Sequence, residues 1–531
     1  MQSKKSPPSP SKDWLGLRGS RLSLCAVAVS CLTAAAVAET PSASPEFLPK
    51  PFPHHVYDGG WEHYVGGGVA SFDCNGDALP ELYAAGGANA AQLMLNRSAP
   101  GGELRFETAP TGPQSLTDVT GAYALDIDGD QILDLVVLRA GPDQLLRGLG
   151  NCQFAPFEGL NFQTGPAWTT AFSATWEGGN ALPTLAFGTY VDRANPNGPF
   201  GTCDDTLLYR PEGPQGNTYA PPQHLSPGYC ALSALFSDWN RDGRADLRLS
   251  NDRHYYVRGG EEQMWAMEGD PRLYSREDGW EPYALWGMGI AARDMDGDGH
   301  QDVYLTSMGD QKLQMFDAKT GGPVWRDVTY AFGTTAHRPY TGGDGRPSTG
   351  WHAAFGDVNN DGRDDIFVAK GNVEQMPDAA QKDPNNLLLQ QPNGRFVEGG
   401  DAAGIASLHR GRGAALVDLN LDGQLDLAVV NRRAKMELWQ NQGTGGNWLL
   451  VNLEGPAHNS RAIGAFVELD LGDRAVFREI TVGGGHAGGP AGDEHFGLGT
   501  VDHLRLRVIW PDGRTGAWQE VQSNRRVTVA Y

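Results

Sequence analysis

Short apolar runs of four to six residues, set between clusters of Gly, Asp and Asn, dominate this chain. Few windows sustain the 3.6-residue apolar period of an amphipathic helix, so the pattern predicts strands joined by tight turns. The runs recur in a fixed order. A small-residue and apolar segment such as "GIAAR", "HAAFG" or "GAALV" leads into an acidic stretch, and a second apolar segment such as "VYLTS", "IFVAK" or "LAVVN" follows it. A hairpin-like segment with Asn or Gly at its turn comes next, as in "LLLQQPNGRFVE" and "LMLNRSAPGGELRFE". Four short strands per unit is the content of one propeller blade.

The acidic stretch supplies the count. "DMDGDGHQD", Asp294–Asp302, places acids at positions 1, 3, 5 and 9 and glycines at 4 and 6. The same spacing returns as "DCNGDALPE", "DIDGDQILD", "DWNRDGRAD", "DVNNDGRDD" and "DLNLDGQLD". A seventh frame, "WEGGNALPT" at Trp176–Thr184, is recognisable because "NALPTL" echoes "DALPEL", but it has lost its acids at those positions. The copies start at 73, 126, 176, 238, 294, 357 and 418, a period of 50 to 63 residues. The reading is an all-β chain: an N-terminal segment at 39–65, a seven-bladed β-propeller over 66–445 and a small C-terminal β domain over 446–531. A β-solenoid is the alternative, but its repeats are shorter and more uniform.

The first 38 residues are read as separate from that fold. Lys4, Lys5, Lys12, Arg18 and Arg21 precede an apolar run from Leu22 to Val37 that ends in Ala36-Val37-Ala38. This is the layout of a secretory signal peptide cut after Ala38. The run is about 16 residues, short for a membrane span, so no membrane insertion is expected after cleavage. Removing it takes away five bases and one acid and moves the net charge from −22 to −26. Such a charge argues against nucleic acid and anionic membrane as partners, since both would repel it, and suits a collector of divalent cations. Cys74, Cys152, Cys203 and Cys230 remain, an even number in an oxidising, secreted or periplasmic, compartment. Three pairings are possible; the favoured one closes the local loop Cys203–Cys230 and leaves Cys74–Cys152.

The spacing itself indicates a cation site. Asp or Asn at positions 1, 3 and 5 of a tight loop aims oxygens at one point, and a carbonyl at 7 and a carboxylate at 9 complete a six- or seven-oxygen shell. That donor set suits Ca²⁺, and the lack of Cys or His at ligand positions disfavours zinc and copper. The candidate ligands are Asp73, Asn75, Asp77 and Glu81 in the first copy and Asp126, Asp128, Asp130 and Asp134 in the second. Asp238, Asn240, Asp242 and Asp246 follow, then Asp294, Asp296, Asp298 and Asp302. Asp357, Asn359, Asp361 and Asp365, and Asp418, Asn420, Asp422 and Asp426, complete six sites, hence about six Ca²⁺ per chain. An EF-hand would need Glu at position 12 and flanking helices; position 12 of the 294 copy is Leu305, inside a strand-like run. The six loops hold 20 carboxylates at ligand positions, and crowding them without a cation is costly.

Other chemistry is weaker. "GGGHAGG" at Gly483–Gly489 contains G-x-G-x-x-G, but Pro490 and a Gly/Asp-rich stretch follow it where a helix is required, so it reads as a β-domain loop with unusual backbone angles. His337, Trp351 and His352 precede the sixth copy in what reads as an insertion of packed or exposed loop residues. Six near-identical acid clusters argue against a catalytic pair, which is a single asymmetric site. No catalytic residue is assigned. Enzymatic groups, if present, belong in the long loops 190–232, 253–288 and 308–351.

An acidic nine-residue loop between two apolar strands, repeated seven times, resembles the FG-GAP/VCBS repeats of integrin-type propellers. The tail, "NWLLVNLEGPAHNSRAIGAFVELDLGDRAVFREITVGGG" and then "HFGLGTVDHLRLRVIWPDGRTGAWQEV", is similar to the ASPIC/UnbV domain. Together they resemble the cartilage acidic protein 1 family. The resemblance implies a secreted, calcium-loaded propeller with a small β domain attached, and adhesion or matrix binding in animal members. It brings the metal positions of the six intact loops and no catalytic residues. The expected function is therefore a non-enzymatic binding or adhesion module for an extracellular protein or glycan. The alternative is a carbohydrate-active or redox enzyme on a propeller scaffold.

Overall fold

Each acidic loop turns between two strands that pair antiparallel up to its edge. In the second repeat Val119–Leu125 runs against Asp134–Arg139, with Leu125 opposite Asp134, and Gln144–Gly148 and Phe154–Pro156 extend the sheet outward in sequence order. The computed structural model describes residues 42–195, 202–252, 260–443 and 445–531, so the expected signal segment lies outside the described residues. Within them, seven sheets of this kind follow one another. Their first strands are Val69–Phe72, Val119–Leu125, Thr169–Thr175, Ala231–Ser237, Gly287–Arg293, Gly350–Gly356 and Arg410–Val417.

These first strands line the centre of the molecule. Each contacts the first strand of the next sheet, and that of the last sheet contacts Val69–Phe72, which closes a propeller-like ring. Gly413 N donates to Gly67 O at 3.0 Å across the closure. The last repeat supplies only three strands, Arg410–Val417, Asp426–Arg432 and Glu437–Asn441; its outer strand is Phe47–Pro49, paired antiparallel with Glu437–Asn441. The segment read as preceding the propeller thus completes it, covering what would otherwise be an edge of unpaired backbone. Apolar faces of adjacent sheets pack together as a series of cores around the ring.

The C-terminal module has its own core, with Leu449, Val467, Leu469, Phe496 and Leu506 at its centre. Asn447–Glu454 pairs antiparallel with Glu494–Gly499 and parallel with Arg525–Ala530. A second sheet orders Ala475–Glu479, Phe466–Asp470, His503–Ile509 and Gln519–Gln522.

The glycine segment of this module enters the ring's central channel. Val482, Gly483, Gly485 and Gly488 bridge to Ala174, Leu235, Ile290 and Ala122, and Pro490–Ala491 pairs parallel with Ser71 and Phe72. The segment therefore touches the first strands of five sheets in turn. Glycine is demanded on both sides of the contact. A Cβ on Gly121 would sit 1.9 Å from Ala487 O, and one on Gly485, at φ +57°, would sit 2.4 Å from the His352 ring. His486 Nδ1 faces Met288 O at 3.0 Å and Nε2 accepts from Gly66 N at 3.1 Å, while its own backbone N–H donates to His352 Nδ1 at 3.1 Å. Burial holds His486 down to about 4 and His352 down to about 3, so both imidazoles are neutral struts. Trp351 and His352, read as residues of a loop insertion, lie in the channel-lining strand Gly350–Gly356, and Trp351 takes the Arg412 guanidinium on its face at 3.9 Å.

Candidate metal centres

The six intact loops share one wiring diagram. The position-1 carboxylate accepts backbone N–H groups from positions 4 or 5 and 6: Asp294 from Gly297 and Gly299, Asp126 from Gly129 and Gln131, Asp357 from Asp361 and Gly362. In five of the loops position 3 accepts from position 5, as Asp296 does from Asp298 N, Asn420 being the exception. In all six, position 5 accepts from position 7, as Asp298 does from His300 N. These bonds bend the loop around a point. At two loops with acids at all four positions, Asp126/Asp128/Asp134 and Asp294/Asp296/Asp302, ligand oxygens lie within 4.8 Å of one another.

Position 9 has a second duty. Asp302 accepts from Met295 N at 2.9 Å and from Phe316 N at 2.8 Å, the latter on the third strand of its sheet. Asp134 holds Ile127 N and Gly148 N, Asp365 holds Val358 N and Gln390 N, and Asp426 holds Leu419 N and Asn441 N in the same way. In the 238 loop Asp246 takes Trp239 Nε1, Tyr274 Oη and Met267 N. In the first loop Glu81 takes Cys74 N at 3.0 Å, and Asn75 Nδ2 reaches its other oxygen at 3.1 Å. The position-9 acid thus ties its loop to neighbouring backbone as well as facing the loop's centre, a role that the nine-residue spacing does not reveal.

Without a cation these sites are strained electrostatically. Burial, then the neighbouring acids, pushes Asp134 and Asp302 up to about 8, Glu81 and Asp418 up to about 7, and Asp238 and Asp294 up to about 6. Asp357, Asp365 and Asp426 are driven well above the carboxylate range for the same reason. One ligand atom is also stranded. Asn420, fully buried, donates through Nδ2 to Gly102 O at 2.6 Å and to Asp422 Oδ2 at 3.0 Å, while its Oδ1 has no hydrogen-bond partner among the described residues. A cation bound by positions 1, 3, 5 and 9 satisfies that oxygen and offsets the repulsion, so the donor set fits Ca²⁺.

Not every acidic grouping is a centre. Cys74 and Cys152, which flank Glu81, are joined in a disulfide and offer no thiolate; Cys203–Cys230 is the other bond, so the favoured pairing is the one found. Asp128 and Asp130 also face Arg147, whose Nη2 lies 2.8 and 2.9 Å away. The seventh frame shows what replaces the acidic donor set. Glu177, at its position 2, takes Arg210 Nε and Nη2 at 2.7 Å each, and Thr184 Oγ1, at position 9, donates to Glu177 at 2.9 Å. A bidentate ion pair bridges the loop and the third strand there. Glu177 is visible in the sequence, but Arg210, 33 residues on, becomes its partner only in the folded sheet.

The acidic loops share one face of the ring, and the C-terminal module covers it. Asp238 N donates to Glu479 Oε1 at 2.7 Å, Gly499 N to Asn360 O at 3.0 Å and Arg474 Nη2 to Gly362 O at 2.8 Å; His495 Nε2 lies 3.0 Å from Gly423 O. Arg241, at position 4 of its loop, inserts its guanidinium into the module 3.8 Å from the Phe466 ring centre and donates to Gly299 O. In the other direction Arg478 of the module pairs with Asp364 at 2.5 Å. A cavity of about 180 Å³ remains between ring and module, with Arg293, His352, His495, Asp126 and Asp418 in its wall.

FG-GAP-like repeats and an ASPIC and UnbV domain are found in the chain: a family model of the former matches residues 73–137 and 294–368, and one of the latter matches 455–531. Cartilage acidic protein 1 of Homo sapiens is 26% identical over 181 residues, which is 32% of this chain and 24% of that protein. The Xenopus tropicalis protein of the same name is 27% identical over 169 residues, 30% of this chain and 23% of its own. The matched region thus spans about a quarter of these relatives. Among solved structures, BBS1N in complex with ARL6DN is 11% identical with a TM-score of 0.44, over 76% of this chain and 97% of that one. An Agrocybe aegerita lectin solved for recognition of non-reducing terminal N-acetylglucosamine is 15% identical with a TM-score of 0.37, over 68% of this chain and 88% of its own.

Proposed function

We propose that this chain is an exported, calcium-stapled propeller that acts as a non-enzymatic binding module for an extracellular protein or glycan. The observation that carries the calcium part is the wiring of six loops around a point, with one buried ligand oxygen, Asn420 Oδ1, left without a hydrogen-bond partner among the described residues. Two disulfides support an oxidising compartment, and among the described residues no helix is long and apolar enough to cross a membrane. Bound cation supplies charge neutralisation and a fixed loop path; the chain's own carboxylates hold it.

The geometry bears on where a partner binds. The acidic-loop face is occupied by the chain's own C-terminal module, so a partner surface belongs on the opposite face, where the long inter-sheet loops gather. An enzymatic reading would use the long-loop pockets of about 340 and 610 Å³, the second lined by Asp192, Arg193, Asp205 and His224. Both are within the roughly 300–1,000 Å³ of an ordinary ligand site; no catalytic constellation is assigned in either. The test is calorimetric titration of the cation-stripped protein with Ca²⁺ and Mg²⁺ beside a glycan and protein binding screen. About six Ca²⁺ sites with weak Mg²⁺ competition support the reading. No heat of Ca²⁺ binding and no metal in the purified protein overturn it.

A further inference from the structure

The contacts that seat the C-terminal module have a common feature. They reach the acidic loops mainly at backbone groups; the exceptions are Ser460, which hydrogen-bonds the Asp126 carboxylate, and Gly497, which packs against the Asp357 carboxylate. Asn360 O is at position 4 of its loop, and Gly362 O and Gly423 O are at position 6 of theirs. Gly299 O, again position 6, receives Arg241, whose guanidinium is buried in the module. Ala457 of the module packs against Gly129, position 4, whose Cβ would fall 2.6 Å from Ala457 O. Those backbone groups point at the module only while the loops hold their tight path, and the path is set by the position-1, -3 and -5 side chains that would grip a cation.

We propose that cation occupancy of the acidic loops controls the docking of the C-terminal module, and with it the insertion of residues 482–490 into the central channel. This rests on the calcium reading above. Two opposing effects decide the sign. Stripping the cations exposes carboxylates that repel one another within a span of 4.8 Å and loosen the loop path. It would also strengthen docking if module arginines paired with those carboxylates. The described ion pairs favour the first effect: Arg478 is held by Asp364, a position-8 residue outside the ligand set, and Arg526 by Asp493 inside the module. The ligand acids Asp294 and Asp73 act on them only through space. Loss of the seat therefore dominates. The ring keeps its own sheets and cores, so the module loosens before the ring does.

The experiment is hydrogen–deuterium exchange of the full chain at pH 7.5 in 2 mM calcium and after treatment with chelating resin, with a calorimetric calcium titration on the same preparation. In calcium, Gly484 N and Gly485 N are protected by their bonds to Ala234 O and Ile290 O. Peptides spanning 482–490 should exchange at least tenfold faster in the stripped protein, while peptides from Asp134–Arg139 and Asp365–Lys370 change less than threefold. The Asp298→Asn, Asp422→Asn double variant, which alters two position-5 acids, should give an intermediate rate at 482–490 in calcium. Calcium binding with unchanged protection at 482–490 overturns this inference and leaves the calcium reading standing. Equal loss of protection in ring and module also overturns it. Absence of calcium binding overturns both.

Discussion

Stripping the cation should cost more stability at pH 8.5 than at pH 5.5, and the buried position-9 acids set the size of the difference. Asp134 and Asp302 rise from 3.8 to about 8 because they are buried beside other acids. At about 1.4 kcal/mol per tenfold in proton affinity, each rise corresponds to roughly 6 kcal/mol of differential protonation. The sign follows from which state holds the proton. The folded, cation-free protein binds these protons more tightly than the unfolded chain, so there is no penalty below the unfolded value near 4. The penalty grows as pH rises and is complete above about 8. Ca²⁺ at roughly 100-fold over its Kd adds about 2.7 kcal/mol per site and keeps the acids ionised without the repulsion. The difference in melting temperature between calcium-loaded and resin-stripped protein, read by differential scanning calorimetry, should therefore widen from pH 5.5 to 8.5. The stripped protein alone should melt lower as pH rises. A gap that is constant or narrows, or a stripped protein that gains stability with pH, would falsify the linkage.

Three further outcomes separate the roles of individual residues. Asp302→Ala leaves Met295 N and Phe316 N without their acceptor; at about 1–3 kcal/mol per buried group it should lower stability even without calcium. Asp298→Ala, an exposed acid whose described hydrogen bond is from His300 N, should cost under about 1 kcal/mol in stripped protein and show its effect only in calcium; equal losses for the two variants in denaturant titrations would reject the double duty of position 9. Arg210→Ala should destabilise by about 1–3 kcal/mol to the same extent with and without calcium, since its partner Glu177 stands in a loop without the ligand set; a calcium-dependent effect would count against the ion-pair staple. Replacing Cys74 and Cys152 by Ser opens a bond of sequence separation 78 and should cost about 4 kcal/mol by the loop-entropy relation, an unchanged unfolding midpoint being the contrary result.

The repeat, its strands and its candidate ligands were legible in the sequence because the interactions that define them are short-range. A period-2 apolar segment, a nine-residue acidic turn and a second strand close on one another within about 20 residues. Position 1 meets its donors only three to five residues away, as Asp294 meets Gly297 and Gly299. Tertiary structure decided everything that joins distant segments. Phe47–Pro49 became the outer strand of the last sheet because the ring must close, and its partner lies nearly 400 residues along the chain. Phe316 met Asp302, and Arg210 met Glu177, only when a third strand came alongside. The "GGGHAGG" segment advertised its positive φ angles, at Gly483, Gly484 and Gly485, but not its destination. A channel admits it because Gly121 and its neighbours leave room for backbone there, and no local pattern records how much space a ring encloses.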